Sequence, residues 1–197
     1  MTTDTSVLTR LDWSSDFMDR GWRVLRLMPG LKEPLEKGGY KSATPNKELA
    51  TRWWTERPDY NIGIATGALS GFDVLDIDTP EALAEIEKIF GPLPRTPQVK
   101  TGGKHNGDQF LFKHRAGMRS SAGKPVNGAD VRGDGGYIVA VGSVVEREYK
   151  WVISPAECEI AEWPEALAEA LLAPTPQVTG QGKTKLPTSE TFRLGPN

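Results

Sequence analysis

The chain has a single cysteine among its 197 residues, Cys158, so it can form no internal disulfide and no cysteine-rich zinc site, and it fits a reducing compartment. It has no apolar run approaching the roughly 18 residues of a membrane span. Its N-terminus, MTTDTSVLTRLDW, lacks the basic start and apolar stretch of a signal peptide. These absences set the expectation of a cytoplasmic protein with no membrane partner. There is no internal repeat, and no excess of one charge: 24 bases stand against 26 acids, a formal net charge of −2. With 38% hydrophobic and 25% charged residues, collagen-like and wholly disordered chains are excluded, and the length suits one domain of about 150 to 180 residues with a tail.

The near-zero net charge conceals segregation. Residues 73–91 hold six acids (Asp73, Asp76, Asp78, Glu81, Glu85, Glu87) against Lys88. Residues 95–150 hold ten bases against Asp108, Asp130, Asp134, Glu146 and Glu148, and residues 157–169 hold five glutamates and no base. Local blocks decide whether a polyanion can dock. The last block reads as a solvated helix surface, whereas the basic middle, interleaved with glycines, suits nucleic acid.

Along the chain, a first helix is expected from about Leu8 to Asp19, with Leu8, Leu11 and Met18 on its apolar face and Gly21 beyond its end. WRVLRLM reads as a strand and PGLKEPLEKGGYKSA as a loop. Thr44 and Pro45 read as the cap and first position of a helix burying Leu49 and Trp53. YNIGIATG and FDVLDID are strand-like. PEALAEIEKIFG is the clearest helix, with Leu83, Ile86 and Phe90 in a stripe and Gly91 as its stop. VKTGG, FLFKH, ADVRGDGG, YIVAVGSVV and YKWVI read as strands of a largely antiparallel sheet, and PEALAEALLA as a last helix. The fold class expected is α+β. A folded domain is expected over residues 1–172, followed by a polar, Pro/Gly-rich linker or disordered tail over 173–197.

Three features carry chemistry. Asp76 and Asp78 close an apolar strand; alternate residues share a face, so their backbones stand about 6 to 7 Å apart. Two carboxylates so placed either grip hard divalent cations or are solvated at a strand end. Asp130 and Arg132 share a face of a second strand, before the turn Gly133–Gly136. They either complete an acidic cluster suited to phosphoryl transfer or form an ordinary hairpin end with Asp134 in the turn. TGGKHNGDQFLF offers free backbone N–H groups with Lys100, Lys104 and His105, and is either a phosphate-binding loop or simply a turn; it is not a Walker A loop. His114 reads as an ordinary surface or core histidine.

In this order the pieces resemble the bifunctional DNA primase/polymerase domain of phage and plasmid replication proteins, a branch of the archaeo-eukaryotic primase superfamily. GWRVLRLMPGLKEP resembles the family's Gly-Trp, strand and Pro-x-x-Lys-x-Pro, through Lys32 and Pro34. WWTERPDYNIGIATG is similar to its Trp-Trp, Asn-Ile-Gly and Thr-Gly sequence, through Trp53, Asn61, Gly63, Thr66 and Gly67. DVLDID matches the first catalytic motif and ADVRGDGGYIVAVGS the third, with Asp130, Arg132, Gly136 and Ser143. The likeness covers residues 20–152. The second motif departs: the family reads Thr-Gly-x-Gly-Gly-x-His before a short aromatic strand. Here Thr101 and Gly102 fit, Gln109 stands where the histidine is expected, and His105 lies four positions upstream. A glutamine donates a hydrogen bond to phosphate but carries no charge.

The resemblance implies the primase catalytic fold, a mainly antiparallel or mixed sheet flanked by helices in two halves with the active site between them. It implies a DNA primase and DNA polymerase making and extending primers on single-stranded template. Asp76, Asp78 and Asp130 would hold two Mg²⁺ or Mn²⁺ ions, and Gln109 or His105, Arg132, Ser143 and Lys32 would position the nucleoside triphosphate. Asn61, Thr66, Gly67, Thr101 and Gly102 are its further nucleotide-site positions, residues 95–150 its template surface, and a helicase domain fused or associated C-terminal to residue 197 its expected partner. Two alternatives compete. One is a catalytically impaired primase-like DNA-binding module. The other is a haloacid-dehalogenase-type phosphatase suggested by Asp76-x-Asp78-Thr79, in which the threonine is out of register and the parallel strand pattern is missing.

Overall fold

Two runs rich in apolar residues, NIGIA and FDVLDI, both become central strands, as expected where a strand is covered on both faces. In the computed structural model, which describes residues 8–173, β2 (Asn61–Ala65) is buried throughout and lies between β1 (Val24–Leu27) and β7 (Tyr137–Val139). β3 (Phe72–Ile77) lies between β6 (Ala129–Arg132) and β5 (Asp108–Lys113). β4 (Gln98–Lys100) and β8 (Lys150–Ile153) extend that sheet to five strands in the order β6-β3-β5-β4-β8. Every pairing between these strands is antiparallel, so the fold is α+β, as expected. Except for Ala173, the tail expected over 173–197 lies outside the described residues, as do residues 1–7. Among the described residues no helix is long and apolar enough to cross a membrane.

Alternation along β3 divides the interior. Val74 joins Leu25, Leu27, Ile64, Leu111 and Ile138 in a core shared by both sheets, which α1 (Arg10–Asp19) and α2 (Lys47–Glu56) close through Phe17 and Trp54. Leu75 and Ile77 face the opposite way, into a second core with Phe112, Val131, Ile86 of α3 (Pro80–Phe90) and Leu167 of α4 (Glu165–Leu172). The five-stranded sheet is thus covered on one face by the smaller sheet and on the other by two helices. Only Asp76 breaks the burial of β3.

The helix ends show where local signals hold and where they yield. Thr79 caps α3 with Pro80 in its first turn, and Gly91 ends it at φ +86°. α1 begins at Thr9 in a capping box with Asp12; Phe17 and Met18 form its buried face, while Leu8 stays exposed. α2 does not begin at Thr44. That residue's N–H and C=O are both bonded to Val24, which holds it extended, so Asn46 becomes the cap, its Oδ1 accepting from the Leu49 N–H at 2.9 Å. Ala50 and Trp54 are therefore the buried pair, one residue on from Leu49 and Trp53, and half-buried Trp53 lies 4.6 Å beneath the Arg26 guanidinium.

On the helical side of the large sheet sits a polar node. Asp73, fully buried, pairs through Oδ1 with His114 Nδ1 at 2.8 Å. Its Oδ2 accepts from the Arg115 N–H at 3.0 Å and from Trp163 Nε1 at 3.3 Å. Burial raises the Asp73 carboxyl above its ordinary range, against the opposing pull of these donors. His114 is therefore a structural histidine. Asp73→Ala strands three donors at once and is expected to destabilise the chain by about 3 kcal/mol, read from urea denaturation midpoints at unchanged slope.

Candidate functional site

The register of β3 against its two neighbours builds the site. Asp76 stands directly opposite Gln109 of β5 on one side and Asp130 of β6 on the other. Directly opposed side chains share a face with Cβ atoms about 4.5 to 5.5 Å apart. Arg132, two residues along β6 on the same face, donates from Nη2 to Asp130 Oδ2 at 2.7 Å, and its Nε lies 3.9 Å from Asp76 Oδ2. Asp130 Oδ1 accepts from the Gly123 N–H at 2.9 Å. Asp78 follows just past the strand end, its N–H bonded to the Gly128 carbonyl.

These groups face a cavity of about 350 Å³ between the two sheets. Asp76, Asp78, Gln109 and Arg132 line it from the large sheet, and Tyr137, Ile138 and Val139 of β7 line it from the small one. Thr101, Gly103 and His105 reach it from the loop joining β4 to β5, and Lys32 and Tyr40 from the segment between β1 and α2. That loop is held close. A Cβ at Gly102 would run into the Arg147 carbonyl, one at Gly107 into the Ile77 carbonyl, and one at Gly103 into the Lys32 ammonium. Close approach thus requires glycine at positions 102 and 107, where the obstacle is backbone, while at Gly103 it is the end of a flexible side chain.

The electrostatics centre on Asp76. Burial, resisted by Arg132, raises its pKa from 3.8 to about 6; the charges of Asp78 and Asp130 push it further up and Lys32 pulls it down. Tyr149 is raised well above its ordinary range by burial and then by the charge of Asp76. Gln109 Oε1 is buried with no hydrogen-bond partner. Carboxylate oxygens are the donor chemistry of hard divalent cations, so Asp76 and Asp78 fit such an ion. Asp130 is engaged with Arg132 and Gly123. Among the described residues no three His, Cys, Asp or Glu side chains come together as a metal-holding group.

The thirteen positions singled out in the sequence divide in two. Lys32, Asp76, Asp78, Thr101, His105, Gln109 and Arg132 line the cavity, and Asp130 stands beside them. The other five are scaffold and do not line it. Asn61, fully buried, donates from Nδ2 to the carbonyls of Leu31 and Val144 and accepts the Val144 N–H. The Ser143 hydroxyl is bonded to Ile62, and that of Thr66 donates to the Gly133 carbonyl. Gly67, at φ +72°, packs against Asp134, and Gly102 beneath Arg147. In this fold they are framework positions: the side chains of Asn61, Thr66 and Ser143 are bonded inside the protein, and the two glycines are set by close packing. Sequence reasoning missed Tyr40, Tyr137 and Tyr149, which carry no spacing signal; only the Gly-Gly turn before Tyr137 marked a strand start.

The template surface expected over residues 95–150 also changes character. Lys100, Lys113, Arg115, Arg132, Arg147 and Lys150 all stand in ion pairs with acids. Two of those acids, Glu162 and Glu165, come from the acidic block 157–169, so much of the charge segregation is answered within the fold. Lys104 and Arg119 remain exposed.

The family model described as bifunctional DNA primase/polymerase, N-terminal, matches residues 15–166, well over half of the chain, and the chain belongs to this family. A search of curated proteins finds no match.

The raised pKa of Asp76 has a sign that can be measured. Between about pH 4 and pH 6 the folded chain binds more protons than the unfolded one, so stability falls as pH rises through that window. Asp76→Asn removes the cost of ionisation. Urea denaturation without divalent cations should find it more stable than the native chain by roughly 1–3 kcal/mol at pH 8, and level with it below pH 4. A variant less stable at pH 8 would show that the ionised carboxylate is well solvated.

Proposed function

We propose that this member of the primase/polymerase family is a cytoplasmic, template-directed nucleotidyltransferase that makes and extends primers on single-stranded DNA. The observation that carries the reading is the pairing of Asp76 and Asp78 with the cations Lys32 and Arg132 in one cavity between the two sheets. A phage or plasmid replication setting, with a fused or associated helicase, belongs to the same proposal.

The chemistry divides among the chain's own groups. Lys32, on a segment facing the large sheet, meets the triphosphate as a mobile point charge, whereas Arg132, braced by Asp130, offers a fixed planar donor. His105, the Thr101 hydroxyl and the Gly103 backbone supply further donors from a loop whose glycines let it approach closely. In the reaction the primer 3′-hydroxyl attacks the α-phosphorus of the incoming nucleotide and gives up its proton to solvent, the new phosphodiester forms, the bond to the β-phosphate oxygen breaks and pyrophosphate leaves. Mg²⁺ or Mn²⁺ would be held by Asp76 and Asp78, supplying Lewis acidity when bound. Tyr137 and Tyr149 supply aromatic surface to the cavity wall.

Primer synthesis and extension on single-stranded DNA with Mn²⁺ or Mg²⁺ test the reading against an Asp76→Asn, Asp78→Asn double variant. The native chain should make product and the double variant at least about a hundredfold less. Equal product from both ends the enzyme reading; DNA binding without synthesis by the native chain would favour the impaired binding module.

A further inference from the structure

Three tyrosines line the cavity, and their hydroxyls differ in what they have to bond. That of Tyr137 donates to the Lys32 carbonyl at 3.2 Å. Tyr40, in the segment before α2, is only half-buried. Tyr149 is 1% exposed, and its hydroxyl has no hydrogen-bond partner among the described residues. The side-chain atoms sealed inside without a partner are Arg10 Nε, Glu36 Oε2 and Gln109 Oε1. The Tyr149 oxygen is not one of them, and the small surface it keeps opens on the cavity.

The chain holds this ring in place on both sides. Its backbone N–H donates to the Ser143 carbonyl at 2.9 Å, and its carbonyl accepts from the Gly142 N–H at 3.1 Å. A Cβ at Gly102 would stand 2.9 Å from the ring's Cδ2, so this glycine admits the ring beneath the loop joining β4 to β5. One residue on, a Cβ at Gly103 would stand 2.6 Å from Lys32 Nζ and 3.5 Å from the Tyr149 hydroxyl oxygen. Ammonium and phenol thus flank one point of the loop, near enough for a single phosphate group to accept from both at about 2.8 Å.

The phenol is neutral at physiological pH, since burial and the charge of Asp76 raise it above its ordinary range. A neutral O–H beside an ammonium suits an anionic oxygen, to which it donates a directed bond. A cation at the same point would be repelled by Lys32.

We propose that the Tyr149 hydroxyl binds the triphosphate of the incoming nucleotide, donating to an oxygen of the phosphate group that Lys32 holds. The inference rests on the nucleotidyltransferase reading above and adds a contact that the sequence motifs do not contain.

Calorimetric titration of the full chain with inorganic tripolyphosphate and with dATP, each with Mg²⁺, tests it without reference to turnover. Tyr149→Phe keeps the ring and removes the donor, so it should raise both dissociation constants about tenfold. Lys32→Ala should weaken both ligands as well, and the double variant should lose less than the two single losses combined, because both groups grip one phosphate. Thermal unfolding should find Tyr149→Phe level with the native chain or above it, since the hydroxyl has no partner within the protein to lose. Unchanged affinity for tripolyphosphate overturns the proposal; if dATP alone binds more weakly, the hydroxyl serves the sugar or the base. Fully independent losses at Lys32 and Tyr149 overturn the shared phosphate, and a midpoint lowered by more than about 5 °C makes the hydroxyl a structural group instead. A native chain that binds neither ligand brings down the nucleotidyltransferase reading itself, which separates that failure from the others.

Discussion

Antiparallel pairing of β3 with both β5 and β6 is the constraint on which the cavity depends. It sets Asp130, Asp76 and Gln109 in a row across three strands, and a slip of one residue in either pairing would turn one of them into the second core. The apolar members of β3 hold the register. Leu75 and Ile77 can be buried against α3 and α4 only if Val74 and Asp76 face the smaller sheet. Packing on one side of the sheet therefore determines the chemistry on the other.

Charge at the site is placed against the interest of stability. Asp76 is held partly out of water beside two like charges, and Arg132 offsets only some of that repulsion. Elsewhere the molecule resolves its charges locally. The acidic stretch near α4 pairs with Lys113 and Arg115, and the buried Asp73 is answered by three donors. The exposed pairs of Lys113 and Arg115 contribute little to stability, but they answer the charge of the acidic stretch where it lies. The contrast marks the Asp76 region as the place where folding leaves electrostatic demand open for a ligand.

Much of this architecture was legible in the chain. FDVLDID announced a strand with two carboxylates on one side, PEALAEIEKIFG announced α3 with its stop, and the glycine-punctuated runs after Gln98 announced antiparallel strands. Tertiary context decided the remainder. Thr44 has the chemistry of a helix cap, yet its backbone is bound to Val24, a contact no local window contains. Asn61, Thr66 and Ser143 belong to motifs resembling those of the family, and motif membership does not separate a residue that touches a ligand from one that braces the wall. Their bonds reach partners far along the chain, so only the fold reveals them as framework. The tyrosines of the cavity were hidden for the same reason. The aspartates could be ranked from their strand positions, but the bonds of Asp130 to Arg132 and to the Gly123 N–H appear only in the fold.

Asn61 holds the carbonyl of Leu31, and Tyr137 donates to the carbonyl of the next residue, Lys32, at 3.2 Å. The segment bearing that lysine is therefore moored to β2 and β7 of the small sheet by side chains distant in sequence. Asn61 lines no part of the cavity, yet it fixes the backbone from which Lys32 reaches it. Substitutions at the asparagine and at the lysine thus converge on one place, the ammonium group at the cavity wall.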